Sequence, residues 1–361
     1  MPKGPEMHID IQRASVSRVN QIPNGDLGFG RIFSDHMFSM DWLGDGWIEP
    51  RIHAYGPIEV IPSALALHYG QSVFEGLKAY RGPTDDRIRL FRPHSNAQRL
   101  RDSCERLCIP CVSPDIFLEA ICELVSIDCE WVPQGPDCSL YIRPLLFGSE
   151  GTLAVRAAST YRFLIITAPV QEYFDRQGQG IYLKAEHRFT RASPGGTGGA
   201  KTAGNYAATL QPMSDSASAG FDQILWLDGV EHRYVEEAGQ MNIFFHIGDT
   251  IVTPDLSGTI LPGITRDTVL TILREWGYKI EERRIAMDEV ITANKAGNLR
   301  EAFGAGTAAV VVPIDRIHYL GQDLQLPQAG NQSLCQQLYQ MITELQFGVT
   351  QDNHGWSVLV D

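Results

Sequence analysis

The sequence is short of basic charge and of long apolar runs. Its 30 Lys and Arg residues face 43 Asp and Glu residues, which gives a net charge of −13. This balance disfavours nucleic acids and anionic membranes, for which basic patches supply the affinity. No apolar stretch approaches the length of a membrane span, and the N-terminal stretch MPKGPEMHIDIQRASV has no apolar run like that of a signal peptide. We therefore expect a cytoplasmic protein with small-molecule partners.

Paired metal-ligand motifs are also lacking, although the chain has seven cysteines. An odd number without a secretory signal favours free thiols in a reducing compartment. Cys104, Cys108 and Cys111 lie on one face of a predicted helix, but no second cysteine pair or nearby histidine completes a site with the pair Cys108 and Cys111. We expect these thiols to act as small apolar residues, and we expect no metal.

The composition and the pattern of elements predict the fold class. Apolar residues make up 43% of the chain and charged residues 20%, as in globular proteins of about two domains. Strand and helix patterns mix in both halves without regular βαβ alternation, which favours an α+β chain of two lobes over a doubly wound nucleotide fold. We predict an N-terminal domain over residues 1–170, an interdomain loop over 171–180 and a C-terminal domain over 181–361.

A lysine lies in the glycine-rich stretch GGTGGAKTAGNYA, residues 195–207. One interpretation is a P-loop that cradles the phosphates of ATP, because Lys201 is followed by Thr202. The glycine that should precede the lysine is missing, and the preceding HRFTRASPGG is polar instead of a buried strand. The other interpretation is a lysine presented for covalent chemistry.

Other features favour covalent chemistry. Tyr206 follows the lysine closely, and Glu236 and Glu237 come just before a predicted strand. The segments LPGITRDT (261–268) and FGAGTAAVVV (303–312) contain turns of the kind that binds an anion through backbone N–H groups. One phosphate, one lysine, one tyrosine and one carboxylate fit pyridoxal 5'-phosphate (PLP), whose ring needs a protonated nitrogen to withdraw electrons from substrate.

These segments belong to a wider pattern, in which the chain resembles the branched-chain amino acid aminotransferases of the fold-type IV group of PLP enzymes. The similarity extends roughly from residue 27 to 345 and keeps the order of the family's motifs. The motifs are HYGQSVFEGLKAYRG (68–82), LFRPHSNAQRL (90–100), YIRPLLFGSEGTLAV (141–155), GGAKTAGNYAA (198–208), EAGQMNIFF (237–245), LPGITR (261–266) and FGAGTAAVV (303–311). The resemblance implies a homodimer of two-lobed subunits, each with PLP between its lobes.

The resemblance also implies an activity, namely ping-pong transamination of L-leucine, L-isoleucine and L-valine with 2-oxoglutarate. Lys201 matches the Schiff-base lysine that also moves the substrate proton, and Arg99 matches the arginine on the cofactor phosphate. The remaining cofactor positions are Tyr206 at the phenolic oxygen, Glu237 at the pyridine nitrogen, and Ile264, Thr265 and Thr307 at the phosphate. Spacing to Asn242 within the motif selects Glu237 over Glu236, a choice that residue chemistry alone leaves open.

The family's substrate-binding positions are matched by a set of aromatic, apolar and turn residues, with one arginine among them. They are Tyr69, Phe74, Tyr141, Arg143, Val155 and Tyr173 in the pocket lining, and Gly306, Thr307 and Ala308 in the turn at the substrate carboxylate. Aromatic rings and Val155 suit aliphatic side chains. Arg143 and tyrosine hydroxyls suit the second carboxylate of glutamate.

One departure and three alternatives remain. Gln240 replaces the small hydroxyl residue usual in the family, so the substrate range is open. D-amino acid aminotransferases and aminodeoxychorismate lyases share the lysine, the glutamate and the phosphate turns. The FEGLKAY and YIRPLLFG segments favour the branched-chain group over them. An ATP-binding protein and a noncatalytic scaffold protein are the alternatives that are not PLP enzymes.

Overall fold

The structure is a computed structural model, which describes residues 8–22, 27–171, 180–327, 330 and 332–360. The chain divides into two compact units. The first consists of Met1–Tyr173, Ala200–Ala203 and Leu345–Asp361, and the second of Phe174–Gly199 and Gly204–Glu344. The first unit thus takes in residues 200–203 and 345–361, which the sequence analysis assigned to the C-terminal domain. The reason is strand pairing, because Thr202 bridges to Val73 and the C-terminal strand pairs with Ile88–Phe91.

The first unit is built on a mainly antiparallel sheet. In chain order its strands are β1 (Asp10–Ile11), β2 (His36–Trp42), β3 (Trp47–Ala54), β4 (Ser72–Phe74), β5 (Leu77–Arg81), β6 (Ile88–Phe91), β7 (Ser139–Gly148), β8 (Tyr161–Val170) and the C-terminal β18 (Ser357–Val360). The sheet order is β1-β3-β2-β8-β7-β5-β6-β18, with β4 paired to β7. Its helices are α1 (Leu65–Tyr69), α2 (Pro93–Arg106) and α3 (Pro114–Ile127).

Local sequence explains helix α3. The Ser113 side chain accepts a hydrogen bond from the N–H of Ile116, and Pro114 occupies the first turn, where its missing N–H costs nothing. The apolar stripe that includes Phe117 and Ile121 is buried in the core of the first unit. Helix α2 ends at Arg106, so that Cys108 and Cys111 lie beyond it. The expectation that Cys104, Cys108 and Cys111 share a helix face is therefore wrong.

The second unit is built on a sheet that closes on itself. Its strands are β9 (Ile181–Glu186), β10 (Gln223–Leu227), β11 (Val235–Ala238), β12 (Met241–Ile247), β13 (Thr250–Thr253), β14 (Lys279–Glu282), β15 (Leu299–Gly306), β16 (Val310–Tyr319) and β17 (Gln322–Gln325). The order is β11-β10-β9-β16-β15-β12-β13-β14, with β17 on β16, and β11 also pairs with β12. That extra pairing joins β11, β10, β9, β16, β15 and β12 into a ring.

Helices accompany this ring. They are α4 (Ala203–Ala207), α5 (Leu210–Ser218), α6 (Ile264–Glu275), α7 (Met287–Lys295) and α8 (Leu334–Phe347), the last of which continues into the first unit. Helix α6 ends at Glu275, and Gly277 shortly after it adopts φ +77°, a left-handed conformation that costs glycine little. Strands pair mostly antiparallel, and the parallel pairs β9–β10 and β13–β14, which are connected through helices, do not extend into a regular βαβ alternation. The α+β prediction is confirmed. Within the described part of the chain, every helix is too short or too polar to cross a bilayer.

Candidate active site

Lys201 is held by its backbone in the first unit. Its N–H donates to Ser103 Oγ on α2 at 2.9 Å, and its carbonyl accepts from the N–H of Phe74 at 3.1 Å. Its amine Nζ lies 5.2 Å from the centroid of the Phe74 ring. The backbone is thus tied on both sides, and the amine lies against an aromatic face.

This arrangement differs from a P-loop. A P-loop presents backbone N–H groups to phosphates between a buried strand and a helix. Here the N–H and carbonyl of Lys201 form hydrogen bonds with other residues of the protein. The preceding strand β9 already ends at Glu186, and the following helix α4 has five residues. The ATP interpretation therefore finds no support in the geometry.

A buried ion pair lies near the lysine. Arg99 on α2 donates to both carboxylate oxygens of Glu75, from Nε to Oε1 and from Nη2 to Oε2, each at 2.8 Å. The Asn96 side chain donates to the same carboxylate at 2.7 Å. Burial opposes ionisation of Glu75, but Arg99, Lys201 and Asn96 outweigh it and hold the pKa of Glu75 below its usual value. Glu75 was missed from the sequence, although it lies in the FEG motif.

Three of the predicted substrate residues cluster in the same unit. The Arg143 guanidinium lies 4.7 Å from the centroid of the Phe74 ring and 5.2 Å from that of Tyr141, and its Nη2 donates to the Tyr141 hydroxyl at 2.8 Å. Its Nε is buried and has no hydrogen-bond partner among the described residues. A Cβ added at Gly76 would collide with the Tyr141 hydroxyl, so a larger residue there would displace the Tyr141 side chain. The cluster presents aromatic surface and one positive charge.

The other predicted substrate residues of this unit are more exposed. Val155 is 83% exposed and Tyr69 is 45% exposed. The Tyr69 hydroxyl donates to the carbonyl of Leu153 at 2.6 Å, which holds the ring against the 150s loop. Tyr173 lies outside the described residues.

Glu237 is buried on β11 of the second unit. Its Oε1 accepts from the N–H of Leu261 at 2.8 Å, and its Oε2 lies 2.9 Å from Arg191 Nε. The Arg191 Nε–H has no hydrogen-bond acceptor among the described residues, so this contact is an ion pair without a straight hydrogen bond. The neighbouring Glu236 instead accepts from Thr259 Oγ1. Arg191 was missed because its surroundings, HRFTRASPGG, have the composition of a loop.

The two predicted phosphate turns have the expected local structure. Residues 261–263 lead into the N-terminus of α6, whose first two residues are Ile264 and Thr265, and the N-cap residue Gly263 has no side chain with which to cap this end. Asn242 Nδ2 donates to the carbonyl of Leu261 at 3.0 Å, and a Cβ at Gly263 would collide with Asn242 Oδ1. A helix N-terminus preceded by glycine suits an anion, because its backbone N–H groups and dipole attract negative charge.

The remaining predicted residues lie on the same unit. Gly306 ends β15, and Thr307 and Ala308 form the turn that joins it to β16. Tyr206 is half-buried on α4, next to Asn205, which bonds to Thr197 of the glycine-rich segment through both ends of its amide. The described residues contain no group of three or more His, Cys, Asp or Glu side chains able to hold a metal ion.

Comparison with known proteins identifies the family. Residues 72–317 match the amino-transferase class IV family. The chain is 46% identical over 353 residues to branched-chain-amino-acid aminotransferase 2 of Bacillus subtilis, covering 98% of this chain and 97% of the relative. It is 43% identical over 335 residues to the branched-chain-amino-acid aminotransferase of Mycolicibacterium smegmatis, covering 91% of each.

Solved structures agree. The branched-chain amino acid aminotransferase of Escherichia coli matches with a TM-score of 0.70 at 26% identity, covering 90% of this chain and 99% of that one. The T.th. enzyme of the same name, solved with pyridoxamine 5'-phosphate, matches with a TM-score of 0.71 at 27% identity, covering 89% and 98%. The chain belongs to the amino-transferase class IV family. The predicted resemblance, the fold-type IV architecture, the aminotransferase class and the PLP cofactor are thereby confirmed.

Proposed function

We propose that the protein transfers the amino group of L-leucine, L-isoleucine or L-valine to 2-oxoglutarate in a ping-pong reaction. The observation that carries this proposal is the match, over almost the whole chain, to curated branched-chain aminotransferases. The geometry supports it, because the aromatic faces of Phe74 and Tyr141 suit an aliphatic side chain. The buried Arg143 Nε suits the second carboxylate of glutamate or 2-oxoglutarate.

The residues of the chain fit PLP. The N-terminus of α6 and the turn containing Thr307 would offer N–H and hydroxyl donors to its phosphate. Arg99, which is oriented by Glu75, would add positive charge for the phosphate. When bound, PLP supplies an aldehyde that captures an amine and a ring that withdraws electrons from the substrate Cα.

The remaining groups would divide the other tasks of this mechanism. The Lys201 amine would hold the bound cofactor between turnovers and would move the proton at the substrate Cα. Glu237, whose carboxylate is oriented by Arg191, would accept a hydrogen bond from the ring nitrogen of the bound cofactor. Tyr206 would donate its hydroxyl to the phenolic oxygen. The turn at Gly306 and Ala308 offers backbone N–H groups to the substrate carboxylate.

We further propose that the protein is a homodimer in the cytoplasm. Leu67, Leu153 and Val155 are 64%, 65% and 83% exposed, and apolar side chains of this size are commonly covered by a partner. Tyr69 and Val155 would then line the pocket of the assembled enzyme, together with Tyr173. Light scattering that gives the mass of one chain would contradict the dimer, and cell fractionation tests the location.

The test is a set of initial rates with 2-oxoglutarate and each candidate amino donor. We expect turnover with the three branched-chain L-amino acids and none with D-alanine. Lys201→Ala should abolish turnover while the far-ultraviolet circular dichroism stays unchanged. Turnover with D-alanine alone, or release of pyruvate from aminodeoxychorismate, would move the protein to another branch of the family. Near-normal turnover by Lys201→Ala would refute the assigned mechanism.

A further inference from the structure

Glu236 is a buried carboxyl group to which the proposed mechanism gives no task. It lies on β11 directly before Glu237. In the pairing of β11 with β10, Trp226 lies opposite Glu237 and Leu227 opposite Val235, so Glu236 has no counterpart. An extra residue of this kind forms a β-bulge, which redirects side chains locally.

The surroundings of Glu236 disfavour its charged form. Its Oε1 accepts from Thr259 Oγ1, and its Oε2 is enclosed without a hydrogen-bond partner among the described residues. Burial raises the pKa of Glu236, and the carboxylates of Glu237 and Asp228 add to this effect, against the opposing influence of Thr259 and Arg191. Among the described residues, Thr259 is therefore the hydrogen-bond donor to the Glu236 carboxyl group.

Thr259 is joined to the ion pair of Glu237 through its main chain. Its carbonyl accepts from Arg191 Nη2 at 2.5 Å, and the carbonyl of Gly198 accepts from the same atom at 3.2 Å. Two residues further on, the N–H of Leu261 donates to Glu237 Oε1. The segment 259–261 thus holds both partners of the pair, Arg191 by a carbonyl and Glu237 by an N–H.

We propose that Glu236 is a positioning residue, which accepts the Thr259 hydroxyl and so fixes the segment that orients Arg191 and Glu237. This inference rests on the proposed function, because it assigns Glu237 to the ring nitrogen of PLP. Under this proposal, Glu236 positions the segment through its hydrogen-bond acceptor and not through a negative charge.

Two substitutions separate the acceptor from the space that the side chain fills. Glu236→Gln keeps an oxygen for Thr259, whereas Glu236→Leu keeps similar volume without an acceptor. The readouts are the dissociation constant for PLP and the visible absorption of the PLP-bound protein as a function of pH. We expect Glu236→Leu to weaken PLP binding about tenfold, which is the size of one buried hydrogen bond. Its absorption profile should shift toward that of Glu237→Gln, while Glu236→Gln stays within about twofold of wild type.

A second pair approaches the same bond from the donor side. Thr259→Val removes the hydroxyl at nearly constant shape, and Thr259→Ser retains it as the matched control. We expect Thr259→Val to reproduce the Glu236→Leu changes and Thr259→Ser to remain close to wild type. This pair decides the question if Glu236→Leu fails to fold.

Two results would overturn the inference. One is wild-type PLP affinity and absorption in both Glu236→Leu and Thr259→Val. The other is damage by Glu236→Gln equal to that by Glu236→Leu, since the negative charge would then be what matters. A lowered unfolding temperature with unchanged PLP affinity and absorption would also overturn the inference, because Glu236 would then contribute to packing alone. Failure of the proposed function has a different signature, namely wild-type protein that binds no PLP.

Discussion

Replacement of either residue of the Arg99–Glu75 pair should lower the free energy of unfolding far more than replacement of a residue in a surface ion pair. The two side chains are 7% and 0% exposed, and two hydrogen bonds of 2.8 Å join them. Loss of one member of a buried pair leaves an uncompensated charge, at a cost of about 3–5 kcal/mol. Because Glu75 keeps Asn96 and the charge of Lys201 as partners, we expect Arg99→Met to fall near ~3 kcal/mol.

The assay is a double-mutant cycle on the PLP-free protein. The free energy of unfolding in urea is measured for wild type, Arg99→Met, Glu75→Gln and the double variant. We expect a coupling energy of about 2 kcal/mol, since the second substitution removes the charge that the first leaves unpaired. Arg101→Met is the control, because its partner Glu105 is exposed on the same helix and the pair should show far less effect.

Additive effects of the two substitutions, with a coupling energy below about 0.5 kcal/mol, would refute this reasoning. The pH dependence gives an independent check. The pKa of Glu75 is below its ordinary value of 4.5, so in acid the folded protein binds fewer protons than the unfolded chain. The contribution of Glu75 is complete above the unfolded pKa and is lost as the pH falls through the folded pKa. Glu75→Gln should flatten that acid decline.

Three further predictions concern the second unit and glycine placement. Gly263→Ala should lower the free energy of unfolding by about 1–3 kcal/mol, because the added Cβ collides with Asn242. Thermal unfolding measures this change. Gly46→Ala is the control, because Gly46 lies at an open position and its replacement should have little effect. Glu237→Gln should lower kcat about 100-fold or more with PLP still bound, and an unchanged rate would remove Glu237 from its assigned role. Glu236→Gln should gain stability over wild type as the pH rises from the ordinary value of 4.5 through the raised pKa; a difference in urea midpoint that does not vary with pH would contradict this.

The secondary structure was predictable where local chemistry determines it. Ser113 and Pro114 mark the start of α3, and Gly277 marks the end of α6. Capping and turn residues act only on the few positions beside them, so these boundaries can be read from the sequence. The strand patterns RIRLF and YRFLIITAPV also correspond to β6 and β8. The end of α2 is not marked in the sequence, since nothing in its apolar pattern distinguishes Leu107 from a further helical residue.

Ion pairs across the fold were not predictable in this way. Arg99 and Glu75 are 24 positions apart and meet because α2 packs beside the end of β4. Arg191 lies in a stretch with loop composition, and its pairing with Glu237 depends on the ring of strands and on the main chain at Thr259. Residue chemistry alone could not distinguish Glu236 from Glu237 for the same reason. Their different partners follow from the β-bulge, which is a property of strand register.

The visible absorption of the purified protein tests the central claim most directly. The spectrum is recorded with PLP bound, again after L-leucine without any oxo acid, and again after 2-oxoglutarate. We predict a yellow band that bleaches with L-leucine and returns with 2-oxoglutarate, which reports both half-reactions in one cuvette. A band that ignores L-leucine and bleaches with D-alanine would contradict branched-chain transamination, and no band after addition of PLP would contradict the cofactor assignment itself.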